Sequence, residues 1–190
     1  MIITYHGDNY FKIQAQNRTL LIDPTNHRSF KSADLILNTL RPTLTPEPQE
    51  DGVSWIDHQG EYEIKDIRVQ GWSLGEEAKK EKTVYKIYFD EITITVLGYL
   101  NKAPSQKIEE ELAQSDILIA PAGGAPSWEV GAAAKFVKQV RPSIVLPSLA
   151  DNLKPFLKEF GQEKCELEEK LVIKAKELKP NVMFIRCLKP

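Results

Sequence analysis

The chain has 190 residues, of which 42% are hydrophobic and 27% charged, and its formal net charge is −2. A domain of this size buries a substantial core without needing a metal or a disulfide, and no apolar run approaches the roughly 20 residues that a membrane span requires. Residues 1–95 carry a charge of −4 and residues 96–190 one of +2, so there is none of the dense basic surface that marks a nucleic-acid binder. We expect one domain over residues 1–190, with no membrane contact and no nucleic-acid partner.

The first third is rich in β-branched and aromatic residues. "MIITYHG", "YFKIQAQ" and "RTLLIDP" read as three strands, separated by turns at Gly7-Asp8-Asn9 and Asn17-Arg18. The N-terminus reads as a strand rather than a basic stretch leading into a signal-peptide core, so a cytoplasmic location is expected. Ala33 to Asn38 supplies a fourth strand. A Pro-rich, acidic connection, Pro46 to Asp51, then leads to further short strands in "VSWID", "GEYEI" and "IRVQGW".

"EEAKKEK", Glu76 to Lys82, mixes both signs and reads as solvated loop. After it, "TVYKIYF" and "ITITVLG" flank Asp90-Glu91 as a hairpin, with Ile92, Ile94 and Val96 on one face.

The period then changes. A helix is expected after Pro104, with Ser105 as its N-cap and Ile108 and Leu112 on one side. "DILIAP" and "SIVLP" are buried strands. Between them lies a helix, Ala132 to Val140, with a stripe of Ala133, Phe136, Val137 and Val140. Asn152 to Phe160 repeats the helical stripe and ends at Gly161, a suitable C-terminal cap. "KLVIKA" and "NVMFIRCL" close the chain as strands. Strands first, then strand and helix in alternation, predict an α/β (α+β) fold: a four-layer αββα sandwich of two mixed sheets with helices outside.

Cys165 and Cys187 lack CxxC spacing and read as two reduced, partly buried thiols. His6, His27 and His58 are the only histidines, and no two have the HxH or HxxxH spacing that brings imidazoles onto one ion.

Taken in order, "ITYHGDNYFKI", "LLIDP", "ADLILNT", "GEYEI", "ITVLGYL", "DILIAPAGG" and "VRPSIVLP" resemble the metallo-β-lactamase fold family, in its small single-domain branch of zinc- or metal-dependent hydrolases. The resemblance spans about residues 2–188. In that family the strand resembling Ala33 to Asn38 leads into Thr-His-x-His-x-Asp-His, which supplies most of the metal ligands. Here Thr39 keeps the Thr, while the ligand positions hold Leu40, Pro42, Leu44 and Thr45. Later ligand positions fall near Ser73-Leu74, at Gly98-Tyr99, where Tyr99 stands for an Asp, and at Pro147-Ser148-Leu149, where the ligand position falls at Leu149.

A zinc hydrolase needs three protein donors and an open position for water, and Leu and Pro side chains carry no lone pairs. The resemblance therefore implies the family's shape without its metal site or any bound cofactor. We expect a non-catalytic binding or scaffold protein, engaging a protein partner or a second copy of itself. The competing expectation is a metal-dependent hydrolase of phosphoesters or lactones that uses unorthodox ligands, with Asp8, Asp23, Asp57 and His58 as candidates. The resemblance places Asp23-Pro24 behind the metal ligands, and with no ligands to support, Asp23 is expected to bond backbone amides nearby. His6 is expected to serve its turn, Gly123-Gly124 to form a tight turn, and Glu61 to be buried with a partner. Ser148 has no visible His partner for nucleophilic catalysis. Trp72 and Trp128 are placed near the cleft, as a platform or as core.

Overall fold

The computed structural model describes residues 1–48, 52–123, 128–179 and 182–190. Strands β1 (Ile2–Tyr5), β2 (Phe11–Ala15) and β3 (Arg18–Ile22) form the expected meander. The backbone turns back at Gln16 and Asn17, both at positive φ, and a 3₁₀ turn, His27–Ser32, precedes β4 (Leu35–Leu37). Then come β5 (Leu40–Arg41), β6 (Ser54–Ile56), β7 (Gly60–Ile64), β8 (Ile67–Glu77), β9 (Lys80–Phe89) and β10 (Ile92–Val96). The second half alternates: α1 (Gln106–Leu112), β11 (Ile117–Pro121), α2 (Val130–Val140), β12 (Ile144–Ser148) and α3 (Lys154–Glu159). Four two-residue strands follow: β13 (Leu167–Glu168), β14 (Leu171–Val172), β15 (Phe184–Ile185) and β16 (Cys187–Leu188).

Two mixed sheets result. One has the order β14-β1-β2-β3-β4-β6, the other β15-β12-β11-β10-β9-β8-β7 with β5 added against β9. Strand alternation decides what packs where. Ile92, Ile94 and Val96 of β10 and Ile117 and Ile119 of β11 point between the sheets, meeting Ile13, Leu20, Ile22 and Leu37 of the first sheet. Leu118 and Ala120 point the other way, onto Leu112, Phe136, Val137 and Phe156 of the three helices. Each such Ile, Leu or Phe contributes roughly 1.5–3 kcal/mol by leaving water.

The outer face of the first sheet, Leu21 and Ile36, is covered by Phe30 of the 3₁₀ turn and by Trp55, not by an α-helix. The fourth layer of the expected sandwich is thus one short turn. His27-Arg28-Ser29-Phe30 has no 3.6-residue apolar stripe, and this turn contributes a single aromatic ring to the cover.

The charged run Glu76 to Lys82 is not a loop. β8 and β9 pair through Glu77 and Lys80 and reverse at Ala78 and Lys79, both at positive φ, so the hairpin projects as an arm with a register break between Ser73 and Glu76. Glu61 is exposed rather than buried, accepting from Gln70 Nε2 at 3.3 Å, because its β7 position faces solvent. Trp128 is buried against Phe136, and Trp72 packs half-buried on the same helix-side core; neither forms a surface platform. Gly123 sits at φ +99 after β11, as a tight turn requires, while Gly124 lies outside the described residues, as do Gln49 to Asp51.

Cys165 and Cys187 are bonded to each other rather than free, with their Cα atoms 6.0 Å apart. The parallel β13–β16 ladder, which pairs Leu167 with Cys187, brings them together across 22 residues of sequence. Closing a loop of that length stabilises a fold by roughly 3 kcal/mol. The Cys165→Ser/Cys187→Ser protein should unfold at correspondingly lower urea, and intact-mass measurement before and after reduction should show the loss of one disulfide in the parent.

Tyr85 on β9 is fully buried, and its hydroxyl donates to the carbonyls of Asn38 (3.1 Å) and His58 (3.3 Å), joining the second sheet to the strand ends of the first. Tyr85→Phe removes the buried donor to both carbonyls, leaving that of His58 only the longer bond from the Tyr62 hydroxyl at 3.5 Å among the described residues. It should cost roughly 1–2 kcal/mol in denaturant unfolding with little change in far-UV circular dichroism.

Candidate functional site

Two strand ends of the first sheet are tied together by one carboxylate. Asp23 follows β3 and is 3% exposed. Its Oδ1 accepts the Thr39 backbone N–H at 2.7 Å, and its Oδ2 accepts the Thr39 hydroxyl at 2.5 Å and Asn9 Nδ2 at 2.6 Å. The expected role for Asp23 as an acceptor for nearby backbone holds, with two side chains added. Thr39 also presses on Gly98, which sits at φ +56; a Cβ there would lie 2.2 Å from the Thr39 side chain. Residue 98 must therefore be Gly.

Above this knot opens a cleft of about 610 Å³. Its apolar wall is Leu40, Leu44, Leu149 and the rings of Tyr5 and Tyr99, and its rim holds Asp8, Asp151, Glu77, Lys80 and Lys82. Leu40 is buried and pairs in register with Lys82, Leu44 is 53% exposed at the mouth, and Pro42 is exposed. Thr45 turns inward and donates to the Pro24 carbonyl at 3.2 Å. Of the positions that the resemblance gives to metal ligands, Leu40, Leu44, Tyr99 and Leu149 line the cleft, and Pro42 and Thr45 do not. A second cleft, about 380 Å³, lies across the Glu77–Lys82 pair and shares Asn101 with the first.

The phenols are neutral at physiological pH. Burial and then the nearby Asp8 push Tyr5 up to about 12, and burial, then Asp23, Asp8 and Tyr5, raise Tyr99 as well. Neither offers a phenolate to a cation.

The other candidate ligands do not converge. Asp57 and His58 pair with each other at 2.9 Å on the connection between β6 and β7, away from the cleft lining, and both oxygens of Asp23 are engaged. Asp8 alone of the four faces the cleft. Among the described residues no three His, Cys, Asp or Glu side chains are grouped to hold a metal ion. The donor set on the cleft wall, aliphatic carbons and un-ionised phenols, does not fit zinc.

His6 serves the Gly7-Asp8-Asn9 turn: its N–H donates to the Tyr10 carbonyl at 2.9 Å and its ring lies 4.7 Å from that of Tyr10. Burial, then Lys12, lowers its pKa. Ser148 is buried at the end of β12 and its hydroxyl has no partner among the described residues, while the next residue, Leu149, donates its N–H to the Asp8 carbonyl at 2.9 Å.

Glu77, Lys80, Lys82 and Asp151 escaped the sequence reading. The first three sit on the hairpin arm, whose charged side chains conceal its alternation; the reversal at Ala78-Lys79 between strand-forming runs was the available signal.

Burial without a cationic partner is the largest influence on Asp23 and raises its pKa from 3.8 to about 6. A carboxyl raised in the folded state binds its proton more tightly there than in the unfolded chain. Its stabilisation is complete below about pH 4 and disappears as pH rises through about 6. Between pH 7 and 4.5 the parent should gain stability relative to Asp23→Asn, by on the order of 2 kcal/mol; parallel urea titrations with no divergence between the two proteins over that range would remove this role.

Comparisons with known proteins agree with the geometry. A family model described as a β-lactamase superfamily domain matches residues 2–148. Among curated proteins, none matches this sequence. Several solved structures share the fold. A protein from Thermotoga maritima, inferred to be a Zn-dependent hydrolase of the metallo-β-lactamase superfamily, superposes with a TM-score of 0.77 at 16% identity, covering 99% of both chains. An inferred metal-dependent hydrolase from Parabacteroides distasonis gives 0.68 at 17% identity over 98% of this chain and 93% of that one. Igni18, a metallo hydrolase from the archaeon Ignicoccus hospitalis, gives 0.62 at 16% identity over 91% and 99%. At these identities the likeness is one of fold. The matched span covers most of the chain and includes the Asp23–Thr39 knot and every strand end beneath the cleft through Ser148, and the protein belongs to the β-lactamase superfamily, on its metallo-β-lactamase fold.

Proposed function

We propose that this chain is a member of its family that acts by binding in the cleft, without a metal and without hydrolysis. One observation carries the reading. Where the resemblance puts metal ligands, the cleft wall is Leu40, Leu44, Tyr99 and Leu149. A wall of that kind repels a hydrated divalent ion and welcomes apolar groups. The cleft is open and sizeable, which suits a ligand or a segment of a partner protein better than a scaffold packed shut.

The competing reading is a metal-dependent hydrolase working through carboxylates, and what favours it is Asp8, an exposed acid on the cleft rim. Asp8 and Asp151 together supply two free acids where three donors are needed.

Protein expressed and purified with added zinc and manganese should carry well below one ion per chain by elemental analysis. Its melting temperature should be unmoved by either ion or by chelator, since only a ligand that prefers the folded state shifts it. One tightly held ion per chain, with melting that tracks it, would establish the hydrolase reading instead.

A further inference from the structure

The charges around the cleft are unevenly satisfied. On the hairpin arm, Glu77 accepts from Lys82 Nζ at 2.9 Å and from Asn101 Nδ2 at 2.8 Å, so that acid and base cancel locally. On the opposite side, the Leu149 N–H bond to the Asp8 carbonyl holds the β1–β2 turn against the segment after β12, and this places Asp8 and Asp151 on one stretch of rim. Among the described residues neither carboxylate has a hydrogen-bond or ion-pair partner, and the Tyr99 hydroxyl between cleft and core has none either.

The ground beneath is negative too. Asp23 is buried with only neutral donors around it, and its charge and that of Asp8 both reach the Tyr99 hydroxyl. Two further buried polar atoms, Asn9 Oδ1 and Ser148 Oγ, are without partners among the described residues and adjoin Asp8 and Leu149 in the chain. Among the described residues Lys80 is the one cleft-lining cation left uncancelled, and it stands across the opening on the arm.

We propose that the cleft binds an organic ammonium ion, its charged head held by Asp8 and Asp151 beside the rings of Tyr5 and Tyr99, and its apolar body laid against Leu40, Leu44 and Leu149. This rests on the reading of the chain as a binding protein. The volume suits a small organic molecule. Phenol rings attract ammonium groups through their faces, and a carboxylate partner adds a charge-assisted bond. An anionic ligand meets the reverse: two unpaired acids and a single exposed lysine.

The test is isothermal calorimetry with three probes of similar shape, tryptamine, tryptophol and indoleacetate, at low and high salt. Tryptamine should bind the parent roughly ten- to a hundredfold more tightly than tryptophol, as expected for a hydrogen bond to a charged group, and indoleacetate most weakly. Added salt should narrow the gap. Asp8→Asn/Asp151→Asn changes two exposed side chains and should keep the parent's circular dichroism, while lowering tryptamine affinity to that of tryptophol. Ala150→Trp, which fills the cleft, should abolish binding of both.

Equal affinities for tryptamine and tryptophol, tightest binding by indoleacetate, or an amine preference that survives the double substitution would each overturn the proposal while leaving the cleft a binding site. Absence of binding by all three probes overturns it as well; if the same preparation holds one metal ion per chain, the binding-protein reading falls with it.

Discussion

Everything at the open end of this molecule is referred to one buried carboxylate. Asp23 joins the end of β3 to the first residue beyond β4 through the Thr39 amide and hydroxyl, and reaches the β1–β2 turn through Asn9. Thr39 in turn fixes Gly98, so the loop after β10 is located by the same contact. Four chain segments that are distant in sequence thus take their relative positions from a single side chain. A carboxylate in that setting carries a desolvation cost that only its three donors offset. That cost is concentrated where the fold presents its strand ends, which is also where chemistry or binding is placed in folds of this kind.

The cleft follows from that arrangement. With the strand ends held apart at fixed distances, the short β5 and the projecting β8–β9 arm form one wall and the segment after β12 forms the other. Side chains supplied to this frame decide its chemistry independently of the frame itself. Here they are aliphatic carbons, two protonated phenols and a rim of mixed charge. Metal coordination and apolar recognition make opposite demands on the same positions, one for lone pairs and the other for their absence. The residues at 40, 44, 99 and 149 meet the second demand. They do so while the supporting Asp23, Thr39 and Gly98 stay in contact beneath them.

Much of the fold was legible in the residue order because the core is alternating and striped. Ile92-Thr93-Ile94-Thr95-Val96 announces its two faces, and Ala133, Phe136, Val137 and Val140 all lie buried on the helix-side core. The positive-φ turn at Asp90-Glu91 was marked by its acidic pair. What stayed hidden had few or no apolar side chains to report it. The Glu76–Lys82 arm is built almost wholly of charged side chains, so its strands look like loop. The outer cover of the first sheet comes from scattered aromatics, Phe30 and Trp55, rather than from a helical stripe. Asp151 reaches the cleft on the segment after β12, which the Leu149 N–H bonds to the Asp8 carbonyl. Four residues that the resemblance singled out, Leu40, Leu44, Tyr99 and Leu149, line the cleft, but the rim depends on tertiary approach that no local pattern encodes.

The covalent tie between Cys165 and Cys187 has a consequence of its own. It anchors the stretch between α3 and the C-terminal ladder to a residue that is itself fully buried. Glutathione-rich surroundings keep thiols apart, whereas secretory or periplasmic surroundings join them. The C-terminal tenth of the chain therefore experiences two different tethering regimes according to where the protein resides, while the Asp23 knot, built from hydrogen bonds alone, is indifferent to that choice.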